Sequence, residues 1–382
     1  MFCWYTAEIS LRVSFFVKYL FLLFTLLFAT APINSSAEPY SAPFWLPGGN
    51  LQTIYSALFA TVPEVQYRRE RWELDDGDFI DVDWIDNTNP DSKVVNESNP
   101  EVTPPKDALS TVVDNRPIVV LFHGLEGNSQ SEYAKALMAA TKAKGWRGVV
   151  IHFRGCSGEP NRLPRVYYAG DTPEIEMMLS RVRAGAPGVK IYAVGVSLGG
   201  NALLKWLGES GEHANSVITK AATVSAPMDL IEAANALDKG FNRLVYTPRF
   251  VDSMRPKALA MSQRFPGLLD DEKIKSARTI HDIDGAVTAV LYGAASADDY
   301  YAKNASKPWL DKITVPVLIL NAKNDPFMPS KFLPTPDEVS PTVTLEYTEE
   351  GGHVGFVTSP FPGNVEWLPK HLLEFFDAEP SL

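Results

Sequence analysis

Cysteine is scarce in this chain of 382 residues: there are two, Cys3 and Cys156. Cys3 falls in an N-terminal leader, so a processed chain keeps one thiol and no internal disulfide, and cysteine usage leaves the redox compartment open. The six histidines (His123, His152, His213, His281, His353, His371) are scattered, with no HExxH and no CxxC. Metal-ligand spacing is therefore absent, and neither a metal nor a cofactor is expected. Basic residues are outnumbered, 35 against 46, for a formal net charge of -11. That balance excludes a nucleic-acid partner of the usual basic-faced kind and gives no general pull toward anionic lipid. Internal repeats are missing as well. What remains is an ordinary globular composition, 45% hydrophobic and 21% charged.

The longest apolar run lies at the start. Arg12 and Lys18 precede Tyr19 to about Ala31, with Ser35-Ser36-Ala37 and then Glu38. A run this short suits the core of an export signal, and small residues stand where a signal peptidase would cut. Residues 1–37 therefore read as a signal peptide or, counted from Phe15 with Lys18 snorkelling, as an uncleaved membrane anchor. An exported or membrane-anchored protein follows; a misassigned start codon would leave a cytoplasmic one.

Residues 38–382 read as one domain. Leu51 to Phe59 has helical spacing and suits packing against the body. Val65 to Leu74 and Phe79 to Ile85 flank the turn Asp75-Asp76-Gly77-Asp78 and read as a half-exposed edge pair. Residues 86–116, rich in Asn, Asp, Ser and Pro, read as a mobile loop insertion. Continuous apolar runs follow at Ile118 to Phe122, Gly148 to Ile151, Ile191 to Val194, Ala221 to Ala226 and Pro316 to Leu320. Each marks a strand buried on both faces, and helical stretches at 131–144, 173–183 and 198–207 separate the first of them. The alternation predicts an α/β fold with a mostly parallel central sheet flanked by helices. Residues 227–315 show helical periodicity only and are expected to form a helical cap over the sheet.

Gly195-Val196-Ser197-Leu198-Gly199-Gly200 joins a buried strand directly to a helix. As a bare string GxSxG is a weak signal; between a strand and a helix it describes a sharp turn that exposes a serine at a helix N-terminus. A serine hydroxyl needs a base, and in such folds the acid and then the histidine come later in the chain. Asp325 leaves the end of the strand at Leu318 to Leu320. His353 sits between glycines on the loop after Thr342 to Tyr347. The bland alternatives are a turn aspartate before Pro326 and a structural histidine. An oxyanion site needs two backbone N–H donors. Leu198, after the serine, and Leu125, in the loop Phe122-His123-Gly124-Leu125-Glu126-Gly127, are the candidates. His123 reads as fixing that loop, and Arg154 and Glu159 as a pair fixing the next one. Cys156 has no neighbour in sequence to activate it and reads as structural.

Longer motifs add to these. Pro43 to Thr53 (PFWLPGGNLQT), Phe122 to Gly127 (FHGLEG), His152 to Asn161 (HFRGCSGEPN), Gly199-Gly200-Asn201, Asp325-Pro326-Phe327 and Gly351 to Phe356 (GGHVGF) together resemble the YheT-like α/β-hydrolases of bacteria. These esterases are related to eukaryotic ABHD-type lipases and to yeast ethanol acyltransferase/esterases. The resemblance runs from about Pro43 to the C-terminus. It implies hydrolysis of short- to medium-chain acyl esters or acylglycerols, with the triad falling on Ser197, Asp325 and His353. No histidine has an aspartate five positions on, the spacing linked to acyl transfer in some eukaryotic relatives. Two other readings stand beside esterase: acyl-transfer or thioester chemistry on the same triad, and a non-catalytic lipid-binding module of the same fold.

Overall fold

A computed structural model describes residues 39–85 and 114–379. Residues 1–38, where a signal peptide or anchor is expected, and most of the expected 86–116 insertion lie outside the described residues. An eight-stranded sheet organises the rest, in the order β1-β2-β4-β3-β5-β6-β7-β8. The strands are β1 (Arg68–Glu73), β2 (Phe79–Ile85), β3 (Ile118–Phe122), β4 (Arg147–Ile151), β5 (Ile191–Val196), β6 (Lys220–Val224), β7 (Val317–Ala322) and β8 (Val343–Thr348). β1 and β2 pair antiparallel, and β2 runs antiparallel to β4; every other pairing is parallel.

The apolar runs are buried on both faces, as parallel strands covered by helices require. Val120, Ile151 and Ala193 point to the layer holding α3 (Thr172–Gly185) and α4 (Leu198–Ser210). Val119, Leu121, Val150 and Val194 point to the opposite layer, with Leu137 and Met138 of α2 (Glu132–Ala143) and Leu372 of a C-terminal helix, Trp367–Asp377. Burying each larger aliphatic side chain stabilises the fold by roughly 1.5–3 kcal/mol. Asp171 caps α3 by accepting the Glu174 N–H, with Pro173 in the first turn.

The edge pair differs from the sequence reading at β2, which is buried nearly throughout rather than half exposed. Register explains how its charges go inside. Arg69 stands opposite Asp83 and Arg71 opposite Asp81, and each arginine grips its partner with two hydrogen bonds of 2.7 and 2.8 Å. His152 and Ser129 also donate to Asp83. Burial would raise the Asp83 carboxyl, but these donors outweigh it and hold it well below the ordinary carboxylate range.

Between β6 and β7 the chain is helical. α5 (Leu230–Leu237) leads into α6 (Gly240–Arg264), whose interior holds Pro248 and Pro256. Shorter helices follow at Asp271–Ser276, Ile280–Ala286, Thr288–Leu291 and Ala297–Asn304. They share a separate apolar cluster, including Leu237, Val251, Ile283 and Tyr301. Among the described residues no helix is long and apolar enough to cross a membrane.

Candidate active site

Ser197 ends β5 and opens α4 with φ 51° and ψ −123°, a conformation that a non-glycine residue keeps only when its surroundings hold it. A Cβ on Gly199 would come within 2.5 Å of the Phe122 and His123 carbonyl oxygens. One on Gly195 would come within 2.6 Å of Gly199 and Gly200. Only glycines let the strand and helix meet this closely.

The three residues far apart in sequence converge. His353 Nε2 lies 2.9 Å from Ser197 Oγ, and His353 Nδ1 lies 2.9 Å from Asp325 Oδ2. With the Nδ1–H donating to the carboxylate, Nε2 is left to accept the serine proton. Asp325 is buried, and its other oxygen accepts the Phe327 N–H at 2.7 Å. The Phe327 ring lies 4.3 Å from the imidazole.

The turn after β3 holds Leu125. Of its four successive N–H groups, Gly124 donates to Tyr133 Oη at 3.0 Å, Glu126 to Tyr167 Oη at 2.8 Å and Gly127 back to the Gly124 carbonyl at 3.0 Å. Leu125 is the one left over, with no acceptor among the described residues. Gly124 packs on Ser197, so the free donor stands beside the serine. Leu198, at the first position of α4, likewise donates to no described residue, as the open N-terminus of a helix leaves it. His123 fixes this turn: its Nδ1–H donates to the Gly124 carbonyl at 2.8 Å and its Nε2 accepts the Phe153 N–H at 3.1 Å. Full burial pushes its pKa down to about 3, so it stays neutral and unavailable as a second base.

Sequence reasoning missed the residues that hold Asp325 and His353 in place. α1 (Gly49–Leu58) does more than pack on the body. Thr53 Oγ1 accepts the His353 N–H at 2.8 Å, and Gln52 Oε1 accepts both the Gly351 N–H and Asn324 Nδ2 at 2.9 Å. Asn324 Oδ1 in turn accepts the Gly352 N–H. A side chain on Gly49 would collide with the Asn324 carbonyl. The motif GGNLQT at 48–53 is thus the brace of the loops bearing Asp325 and His353; the only signal for it was the resemblance itself.

The loop at 152–161 also resolves differently. Arg154 pairs with Asp76, Asp78 and Glu174 at 2.6–2.8 Å, not with Glu159, which pairs with Arg71 at 2.9 Å. Arg154 is buried, and three carboxylates compensate its charge where one exposed glutamate would not. Burial pushes the Cys156 thiol up to about 12, so it is no nucleophile.

A cavity of about 810 Å³ opens on Ser197 and His353 and is walled by the helical segment, including Leu237, Phe250, Met254 and Ile283. Its volume is in the range of small-molecule sites. In the helical segment Phe250 lines it, Tyr246 is buried against Phe327 and Asn50, and Phe241 faces solvent. No cluster that would hold a metal ion exists among the described residues.

Known proteins agree with this architecture. Residues 117–360 match the alpha/beta hydrolase fold family. YheT of Escherichia coli (strain K12), provisionally described as an esterase, is 36% identical over 336 residues, spanning 86% of this chain and 92% of its own. Human phospholipase ABHD3 is 30% identical, over 89% of this chain and 79% of its own. Monoacylglycerol lipase of Saccharomyces cerevisiae is 27% identical, over 81% and 74%. The chain therefore belongs to the α/β-hydrolase family, within its YheT-like group.

Proposed function

We propose that this chain is a serine carboxylic-ester hydrolase that works through an acyl-enzyme on Ser197. The class is that of its relatives, which are named esterase, phospholipase and monoacylglycerol lipase. The observation that carries the mechanism is the unbroken chain Ser197 Oγ–His353 Nε2, His353 Nδ1–Asp325 Oδ2, at 2.9 Å in each link. Ser197 attacks the ester carbonyl while His353 takes its proton, and Asp325 stabilises the imidazolium without taking a proton itself. The oxyanion rests on the N–H groups of Leu125 and Leu198. His353 then protonates the departing alcohol. Water enters, gives its proton to the same imidazole, and releases the acid.

The apolar cavity supports short- to medium-chain acyl esters or acylglycerols as substrates, with residues 227–315 acting as the cap that selects the acyl chain. The leader supports an exported or membrane-anchored enzyme; a mature N-terminus at Glu38 in the cell envelope would bear this out, and a soluble cytoplasmic chain would refute it. The enzymatic test is a p-nitrophenyl ester series from acetate to palmitate, compared with Ser197→Ala. Turnover lost in the variant supports the mechanism. Absence of turnover in the folded protein, with no labelling by a fluorophosphonate, counts against it.

A further inference from the structure

Glu126 follows the free Leu125 N–H and has φ 57°. A residue with a side chain rarely holds that conformation unprompted. Here four contacts hold it. The Glu126 N–H donates to Tyr167 Oη at 2.8 Å, and the same hydroxyl donates back to Glu126 Oε1 at 3.3 Å. Tyr167 is itself clamped, stacked on Phe153 at 5.3 Å and set against the edge of His123. On its other side the carboxylate reaches helix α6: Ser253 Oγ donates to Oε2, and Lys257 Nζ pairs with it at 2.7 Å. The Glu126 side chain is only 10% exposed, while that of Lys257 is 48% exposed.

The arrangement joins three things. Tyr167 holds the peptide joining Leu125 to Glu126, the one that follows the Leu125 N–H. The carboxylate locks that tyrosine in place. The same carboxylate links the turn to α6, the helix that carries Phe250 and Met254 over the cavity. Nothing in the acyl-enzyme chemistry uses Glu126, whose carboxylate edges the cavity yet has both oxygens engaged, by Tyr167 on one and by Ser253 and Lys257 on the other.

We infer that Glu126 is a positioning residue, one that aims the Leu125 N–H at the oxyanion by clamping the turn between Tyr167 and helix α6. The inference rests on the esterase reading. It never touches the reacting atoms; it acts through Leu125.

A positioning role and a merely structural one separate in kinetics. An oxyanion donor acts on the transition state, so losing its aim lowers kcat and leaves KM nearly unchanged. The experiment compares wild type, Glu126→Ala and Glu126→Gln on one p-nitrophenyl ester, alongside affinity for an alkyl trifluoromethyl ketone, whose adduct with serine carries the oxyanion. Removing a whole donor costs on the order of 10²–10³ in kcat, so misaiming one should cost Glu126→Ala about 10–100-fold. Affinity for the ketone should fall in parallel with kcat/KM. Glu126→Gln, which keeps an acceptor for Tyr167 and a partner for Ser253, should recover most of the loss. Unchanged kcat and ketone affinity in Glu126→Ala would overturn the inference and leave the esterase reading intact. So would a rise in KM with a falling melting temperature and no selective loss of ketone affinity. A wild type that neither turns over nor binds the ketone would remove the esterase reading, and this inference with it.

Discussion

Thr53 Oγ1 accepts the backbone N–H of His353 at 2.8 Å, across 300 residues of chain. A helix from the start of the domain thereby fixes the loop that carries His353. Gln52 does the same for Gly351 and Asn324, so the loops bearing Asp325 and His353 share one brace. Preorganisation of this kind matters because catalytic groups must be held to a fraction of an ångström.

Thr53→Val tests the brace. It keeps the shape and removes the acceptor, leaving a part-buried N–H unpaired at a cost of about 1–3 kcal/mol. Misplacement of the imidazole should lower kcat by about tenfold or more, with little change in KM. Thermal unfolding and steady-state kinetics on the same preparation read both effects.

Asp325→Asn tests the acid. The amide can still pair with His353 but favours the wrong tautomer, so kcat should fall by about 10⁴ while the fold persists. A loss no greater than about tenfold would mean that Asp325 is a turn residue that happens to face the histidine.

Cys156 should be inert. Its thiol is buried and pushed up to about 12, so iodoacetamide at pH 8 should leave it unmodified in the native protein and alkylate it in urea. Peptide mass spectrometry reads the difference. Cys156→Ser should retain ester turnover, since the thiol supplies no nucleophile, with at most a modest loss through the cavity wall and the Tyr167 hydroxyl that it touches.

Asp171 gives a pH dependence of stability. Burial, with help from nearby Glu174, raises its pKa to about 7 despite the Arg165 guanidinium beside it. A carboxyl raised on folding favours the native state fully below its ordinary pKa of 3.8 and loses that contribution as pH rises through about 7. Between pH 5 and pH 8 the wild type should therefore lose stability at this site. Asp171→Asn, which still caps α3, should lose less over the same interval. Urea midpoints at the two pH values check the sign.

Ser197, Asp325 and His353, which the fold brings within hydrogen-bond reach of one another, were legible as candidates because each sits beside a local pattern. Ser197 lies between an apolar strand and a helix, Asp325 at a strand end, and His353 between glycines in the next loop. The parallel sheet was legible because strands buried on both faces read as continuous apolar runs. The brace was not, since Gln52, Thr53 and Asn324 act across 272 to 300 residues and no periodicity encodes such a contact. Charge placement failed for a related reason. Asp81 and Asp83 look like solvent-facing residues of an edge strand until Arg69, Arg71 and His152 are seen to cover them. Arg154 was matched to the nearest acid in its own loop, whereas the fold supplies three from elsewhere.

The most direct test of the central claim is the reaction of the folded protein, starting at Glu38, with a fluorophosphonate, followed by mapping of the modified peptide. The account predicts a single stoichiometric adduct on Ser197, lost in Ser197→Ala and strongly slowed in His353→Gln, together with turnover of p-nitrophenyl esters. A folded protein that stays unlabelled, or an adduct on another residue with ester turnover intact in Ser197→Ala, would contradict it.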